Sequence, residues 1–245
     1  MKVKAPDWFA DWFDTAYYHI LYKHRDNTEA KRFLNNLMAH TQLPKNTRIL
    51  DLACGRGRHA MQLFELGYTV HGLDLSSSNI AFANKFTQKG LSFEVGDMRN
   101  DLGENQYHAV LNAFTSFGYF EDDQSHQAVF NNIYRALKPE GHFYFDYLNA
   151  ESLGEIPTKP EEKTIEGIHF KIQRRLEDRH VIKEIQVTDG TKSFTYCEQV
   201  ALYYASDFVE MLEKAQFEIV EQWGDYNLNK FEANHSPRCI IMARK

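Results

Sequence analysis

The stretch Arg48-Ile-Leu-Asp-Leu-Ala-Cys-Gly-Arg-Gly-Arg-His59 constrains this chain more than any other. A short apolar strand runs into a small-residue turn built on Ala53, Gly55 and Gly57, and the turn opens a helix. Gly55 and Gly57 can adopt positive φ and let a ligand approach the backbone closely. The first N–H groups of the helix then offer donors at a positive dipole end. Ala60, Leu63 and Phe64 recur at i, i+3 and i+4, and Gly67 is placed to stop the helix. Taken alone, the turn predicts a nucleotide-like ligand after a first strand, which dinucleotide-binding folds also carry.

Three acidic residues narrow that prediction. Asp51 ends the strand two residues before the turn, where a carboxylate repels a pyrophosphate and favours a cationic ligand. Tyr68-Thr-Val-His-Gly-Leu-Asp74 reads as a second strand, and Asp74 can accept both hydroxyls of a ribose. A third strand, Leu91-Ser-Phe-Glu-Val95, ends in Gly96-Asp97-Met98-Arg99. Asp97 can accept from an adenine amino group while Met98 packs on the ring.

With these residues in view the chain resembles a class I S-adenosylmethionine (SAM)-dependent methyltransferase. Asp51-Leu-Ala-Cys-Gly-Arg-Gly57 is similar to that family's acidic-x-Gly-x-Gly-x-Gly signature, with Ala53 at the first glycine, and the resemblance spans roughly residues 45 to 150. It implies a Rossmann-like α/β fold: a seven-stranded, mostly parallel sheet with a closing antiparallel strand. It also implies SAM as cofactor, held by Asp51, Ala53, Cys54, Gly55, Gly57, Asp74, Leu75, Asp97, Met98 and Phe114. The third-glycine spacing of dinucleotide binders is absent.

Residues 7 to 24 are crowded with aromatics, and Trp8, Trp12 and Phe13 recur at helical spacing. An amphipathic helix docked on the domain is one reading. A lid is the other, because methyl transfer from a sulfonium benefits from excluded water and aromatic faces attract that cation. Tyr18, Tyr22 and Arg25 are then expected over the methionine end of the cofactor, with Arg25 on its carboxylate. A second helix is expected from Asn27 to about His40. Tyr107 to Phe114 reads as a fourth, buried strand, Asp122 and Asp123 as caps of the next helix, and His142 to Leu148 as a fifth strand after Pro139-Glu-Gly141.

From Lys163 to about Tyr203 the apolar period changes to two, with a turn at Asp189-Gly190, which predicts antiparallel hairpins. They interrupt a parallel α/β order and so form an inserted subdomain. The resemblance implies that such an insertion covers the substrate site or makes homodimer contacts; protection of a sheet edge is the plainer alternative. The expected division is an N-terminal helical lid (1–42), a SAM-binding core (43–150), the β insertion (151–203) and a C-terminal helix and strands completing the core (204–245).

The chain has 245 residues, 43% hydrophobic and 25% charged, as in an ordinary globular protein. Its net charge of -6 counts against a nucleic-acid partner. No apolar run approaches a membrane span, no signal core is evident, and a cytoplasmic protein without membrane partners is expected. The three cysteines form no CxxC pair, so no metal is expected.

Methyl transfer is an in-line displacement, and much of the protein's contribution is alignment. A base can assist it, and Tyr119, Asp146 and His19 are the candidates by position. The fourth strand lacks the Asp/Asn-Pro-Pro-aromatic run of nucleic-acid amino-methylating enzymes and the Pro-Cys of cytosine-C5 enzymes. The acceptor is therefore expected to be a small-molecule amine or hydroxyl. The wider pattern is similar to bacterial sugar-amine N,N-dimethyltransferases and, more distantly, to glycine-type N-methyltransferases. A non-catalytic SAM-binding scaffold and a nicotinamide-dependent oxidoreductase are the competing classes.

Overall fold

The structure, a computed structural model, describes residues 8–23, 27–154 and 159–245. Two short helices, α1 (Trp8–Phe13) and α2 (Ala16–Leu21), precede α3 (Asn27–Thr41). Strands and helices then alternate: β1 (Arg48–Leu52), α4 (Arg58–Glu65), β2 (Thr69–Asp74), α5 (Ser77–Ala83), β3 (Leu91–Val95), β4 (Tyr107–Asn112), α6 (Asp123–Ala136) and β5 (Leu137–Leu148). Four strands follow, β6 (Glu161–Ile165), β7 (Ile168–Glu177), β8 (His180–Asp189) and β9 (Lys192–Ala201). The chain closes with α7 (Ala205–Lys214), β10 (Glu218–Trp223) and β11 (Arg238–Arg244).

The main sheet has seven strands in the order β10-β11-β5-β4-β1-β2-β3. β11 runs antiparallel to both β5 and β10, and β1 pairs in parallel with β2 and β4. This is the Rossmann-like sheet with one closing antiparallel strand that the sequence predicts. Ile49, Leu50, Asp51 and Leu52 are all buried, as befits a central strand covered on both faces. Phe33, Leu34, Ala60 and Leu63 pack on one side of the sheet, and Phe130, Phe143, Phe145 and Phe208 on the other. The strand order reverses between β1 and β4, so a crevice opens at their carboxyl ends, where open α/β sheets bind ligands.

β6 to β9 form a separate antiparallel sheet in simple up-and-down order. Its apolar face, with Phe170, Ile172, Ile185 and Val187, shares one hydrophobic cluster with Trp8, Phe9 and Trp12 of α1. The N-terminal helices are therefore wedged between the insertion and the main sheet. Trp12 stacks at 4.6 Å on Tyr196 of β9, and its Nε1 donates to Glu198 of the same strand at 2.7 Å.

Three local expectations are corrected, and one turn carried no sequence signal. The aromatic N-terminal run is two helices, because Thr15 caps the second: its hydroxyl oxygen accepts the Tyr18 N–H at 3.1 Å. β4 ends at Asn112, since the next residues turn away with φ of +60° at both Phe114 and Thr115. The fifth strand begins at Leu137, and Pro139-Glu-Gly141 lies within it as an irregularity where pairing with β4 jumps from Tyr107 to Ala109. The β7–β8 turn uses Asp178 and Arg179 at φ of +47° and +59°, a hairpin without the glycine that flags such turns.

His126 of α6 is buried and neutral. Its Nε2 accepts the Phe120 N–H at 3.3 Å, leaving Nδ1 to donate to the Asp122 carbonyl at 2.9 Å. Burial, the largest cause, pushes its pKa down to about 4. An unfolded histidine takes up a proton near pH 6.5. The resulting stability is full above pH 6.5 and is lost as pH falls from there toward 4. We expect the urea midpoint to drop between pH 7 and pH 5, and His126→Gln to be less stable at pH 7 with a shallower drop. An equally steep drop in the variant would assign the effect to other groups.

Candidate active site

The glycine turn after β1 is locked by its own backbone. Cys54 N–H donates to the Leu73 carbonyl at 3.1 Å and Gly57 N–H to the Cys54 carbonyl at 2.9 Å. Ala53, Gly55 and Gly57 have φ of +62°, +55° and +83°. Left-handed backbone at an alanine costs roughly 1–2 kcal/mol, so Ala53 is held there by its neighbours. The two glycines do different things. A Cβ on Gly57 would meet the Phe93 ring at 2.6 Å, whereas one on Gly55 would meet nothing within 4 Å and would stand in open space.

That space is a cavity of about 430 Å3 bounded by Ala53, Cys54 and Gly55 on one side and by Asp74, Leu75, Asp97 and Met98 on another. Tyr18, His19 and Tyr22 of the N-terminal segment and Phe114 and Tyr119 after β4 complete its wall. The structure thus brings together most of the residues expected to hold the cofactor. Arg25 lies outside the described residues. Gly57 stands behind the turn, against Phe93, and Asp51 lies beneath it.

Asp51 carries an unsatisfied oxygen beneath the site. It is 1% exposed, and its Oδ2 has no hydrogen-bond partner among the described residues. Burial, reinforced by the nearby Asp74 charge, pushes its pKa up to about 7. A buried carboxyl in this state fits a ligand that brings positive charge. Asp74 differs, because its Oδ2 accepts the Gly55 N–H at 2.7 Å and its Oδ1 the Ser76 N–H at 2.9 Å. It is fixed as an acceptor at the end of β2, with lone pairs to spare for two hydroxyls. Asp97 is clamped by Arg99, at 2.9 Å from Nε and 2.6 Å from a terminal nitrogen. Burial opposes its charge, but Arg99 outweighs burial and holds its pKa below the ordinary value. Burial raises the Cys54 thiol well above its usual pKa, so it is a small wall residue and not a nucleophile.

A second cavity of about 410 Å3 adjoins the first and shares Phe13, Tyr18, Tyr22, Phe114 and Tyr119 with it. Its far wall carries Lys183 of β8, Glu198 and Val200 of β9, Glu29 of α3, and Tyr226 and Arg238 near the closing hairpin. Sequence reasoning missed these residues. On alternating strands, Lys183 and Glu198 read as solvent-facing positions, and no local pattern joins them to Arg238.

The three candidate bases fall in different places. Tyr119 stands in the shared wall, with its hydroxyl bonded to the Thr115 carbonyl. His19 lines the first cavity alone; burial and Arg56 push its pKa down to about 4, and its Nε2 has no hydrogen-bond partner among the described residues. Asp146 lines neither cavity, a correction to its expected role. It is fully buried, with Oδ1 accepting from Arg238 Nε at 2.8 Å and Oδ2 accepting the Phe114 N–H at 2.6 Å and the Tyr226 hydroxyl at 3.1 Å. His59 also packs: it stacks on Phe114 at 4.9 Å.

Sheet order, glycine cradle and the acids at the ends of β1 and β2 define a class I methyltransferase. Comparison with known proteins agrees. A family model described as a methyltransferase domain matches residues 43–183, more than half of the chain. The putative methyltransferase YqeM of Bacillus subtilis is 35% identical over 117 residues, covering 46% of this chain and 47% of that protein. The dTDP-3-amino-3,6-dideoxy-alpha-D-glucopyranose N,N-dimethyltransferase of Streptomyces fradiae is 31% identical over 98 residues, 40% of this chain and 38% of its own. The chain thus spans about half or less of the length of these curated relatives. Among solved structures, a SAM-dependent methyltransferase from Clostridium acetobutylicum aligns with a TM-score of 0.78 at 22% identity, over 93% of this chain and 95% of that one. SAM-bound CalS10, an amino pentose methyltransferase from Micromonospora echinaspora, aligns with a TM-score of 0.68 at 18% identity over 94% and 97%. The chain belongs to the methyltransferase domain family.

The two glycines separate stability from binding. Gly55→Ala is expected to fold, losing about 1–2 kcal/mol for its left-handed backbone, and to bind SAM more than tenfold more weakly because its methyl enters the cavity. Gly57→Ala should lower the melting temperature further, since its Cβ meets Phe93. Thermal melts and calorimetry on both variants decide this; unchanged SAM affinity in Gly55→Ala would remove the turn from the site.

Proposed function

We propose that this methyltransferase acts on an amine or hydroxyl of a small molecule held in the second cavity. The observation that carries the reading is the shared wall. Phe13, Tyr18, Tyr22, Phe114 and Tyr119 face both cavities, so a ligand in each would meet across them. The amino-sugar N,N-dimethyltransferase among the relatives supports an amine, and the net charge of -6 favours a small acceptor over a nucleic acid.

SAM, when bound, supplies a methyl group on a positively charged sulfur. The chain's own contribution is to hold the partners in line and dry. Asp51 offers a carboxylate to the cation, Asp74 a rigid acceptor pair, and Tyr18 and Tyr22 cover the junction from the N-terminal side. An acceptor atom held against Tyr18, Tyr22 and Tyr119 would take that methyl group, and the carbon–sulfur electron pair would stay with the cofactor's sulfur. Alignment of this kind supplies much of the rate. Of the three expected bases, Tyr119 is the one that lines both cavities.

Incubation with labelled SAM and a panel of amines and alcohols, with S-adenosylhomocysteine formation followed by mass spectrometry, tests the reading. Turnover on a small acceptor is expected. SAM binding without turnover on any of them would favour a scaffold, and tighter binding of NAD(H) than of SAM would return the chain to the oxidoreductases.

The raised pKa of Asp51 adds a pH dependence. Asp74, Cys54 and the Arg58 guanidinium face it, and the Ala60 N–H reaches it. A cationic ligand prefers the ionised carboxylate, so below about pH 7 binding must release a proton. SAM affinity is expected to rise from pH 6 to pH 8 and then level, and Asp51→Asn to be weaker and flat across that range. Calorimetry in two buffers of different ionisation enthalpy reads the released proton; its absence would mean that Asp51 is already charged.

A further inference from the structure

Resting on the placement of the acceptor in the second cavity, we infer that this cavity is an ammonium site and that the acceptor is a basic amine. Six rings surround it: Phe13, Tyr18, Tyr22, Phe114, Tyr119 and Tyr226. Aromatic faces attract cations, most strongly where water is thin. The protein's own cations already use these faces. Lys183 Nζ stands 4.5 Å from the centre of the Tyr22 ring, and the Arg238 guanidinium 5.7 Å from that of Tyr226.

The charges point the same way. Lys183 Nζ is 3.3 Å from Glu198 Oε2, and Arg238 Nε is 2.8 Å from Asp146. Glu29 also lines the cavity. Among the described side chains the lining holds Glu29 and Glu198 together with Lys183 and Arg238, and Asp146 stands behind Arg238 outside the cavity. An entering anion such as a phosphate meets cations already committed to carboxylates, whereas an entering ammonium meets the aromatic faces.

Glu198 is held for this task. Trp12 Nε1 and the Tyr22 hydroxyl each donate to its Oε1 at 2.7 Å, and the Lys183–Glu198 pair is 12% and 14% exposed at the side chains. Two of the three groups that orient it come from different elements of the N-terminal segment, so the carboxylate is in position before any ligand arrives. Preorganisation of this kind reduces the ordering cost of binding.

An ammonium must lose one proton before its lone pair can attack. Glu29 and Glu198 are the cavity's proton acceptors. The nitrogen then forms the C–N bond, the C–S pair returns to sulfur, and the product leaves as a methylammonium. Positive charge thus passes from sulfur to nitrogen within a cavity built to tolerate it, which an alcohol acceptor would not exploit.

The test uses the full chain loaded with S-adenosylhomocysteine and two probes of matched shape, benzylammonium and benzyl alcohol, titrated at pH 7.5. Benzylammonium is expected to bind at least tenfold more tightly. Glu198→Gln, which keeps an oxygen for Trp12 and Tyr22, should cut that affinity at least fivefold and leave the alcohol unchanged. Lys183→Met, which removes a competing cation, should strengthen benzylammonium binding; if the pair were only structural, both variants would weaken it. Equal affinities for the probes, failure of both to bind, or weakening by Lys183→Met overturns the inference. Benzylammonium binding together with no turnover on any acceptor would overturn the proposed function and leave the ammonium site standing.

Discussion

The ion pair between Asp146 of β5 and Arg238 of β11 ties the closing hairpin to the wall between the two cavities. Asp146 accepts from Arg238, from the Tyr226 hydroxyl and from the Phe114 N–H, and its carbonyl accepts the Thr115 N–H at 3.1 Å. Arg238 reaches on to the Thr115 hydroxyl at 2.9 Å. Burial works against the guanidinium, but Asp146 more than offsets it and holds its pKa above the usual value. Phe114 and Thr115 both sit in left-handed backbone, at roughly 1–2 kcal/mol each. Breaking a buried pair by removing one partner costs about 3–5 kcal/mol. Asp146, accepting the N–H groups of both strained residues, holds that turn in place, and the turned-out Phe114 can stack between His59 at 4.9 Å and Tyr226 at 4.8 Å.

That arrangement explains what could be read in the chain and what could not. The cofactor cradle was legible because its determinants are local: a strand, three small residues and a helix lie within Arg48 to Glu65, and Asp74 follows at the end of the next strand. The β insertion was legible because period-two alternation is also local. Asp146 was misjudged because strand-end position says where a residue is, while its partner Arg238 lies 92 residues away. The turn at Phe114 was invisible for the same reason, since the group that bends the chain is that distant carboxylate.

The second cavity was least legible of all. Its residues come from α1, α2, α3, the β4 exit, β5, β8, β9, the β10–β11 connection and β11, and each carries a plain local explanation. Lys183 and Glu198 sit on hairpin strands whose registers place Lys183 opposite Glu198. Only the wedging of α1 and α2 against β9 turns that cross-strand pair inward, where a solvated ion pair worth at most about 1 kcal/mol becomes a half-buried element of a binding wall. Tertiary packing, not motif, makes the site.

Burial also divides labour among groups that sequence alone treats alike. Asp51 and Asp74 both lie near strand ends beside the glycine turn, yet Asp74 is held by two backbone N–H groups and Asp51 keeps an oxygen with no partner among the described residues. Across the cavity, His19 is also pushed toward its neutral form by burial. The same cavity is lined by Lys23, Arg56, Arg58, Asp74 and Asp97, so fixed charges of both signs meet an entering ligand. Asp51 adds to them, from beneath the turn, a carboxyl whose ionisation a positively charged ligand would favour.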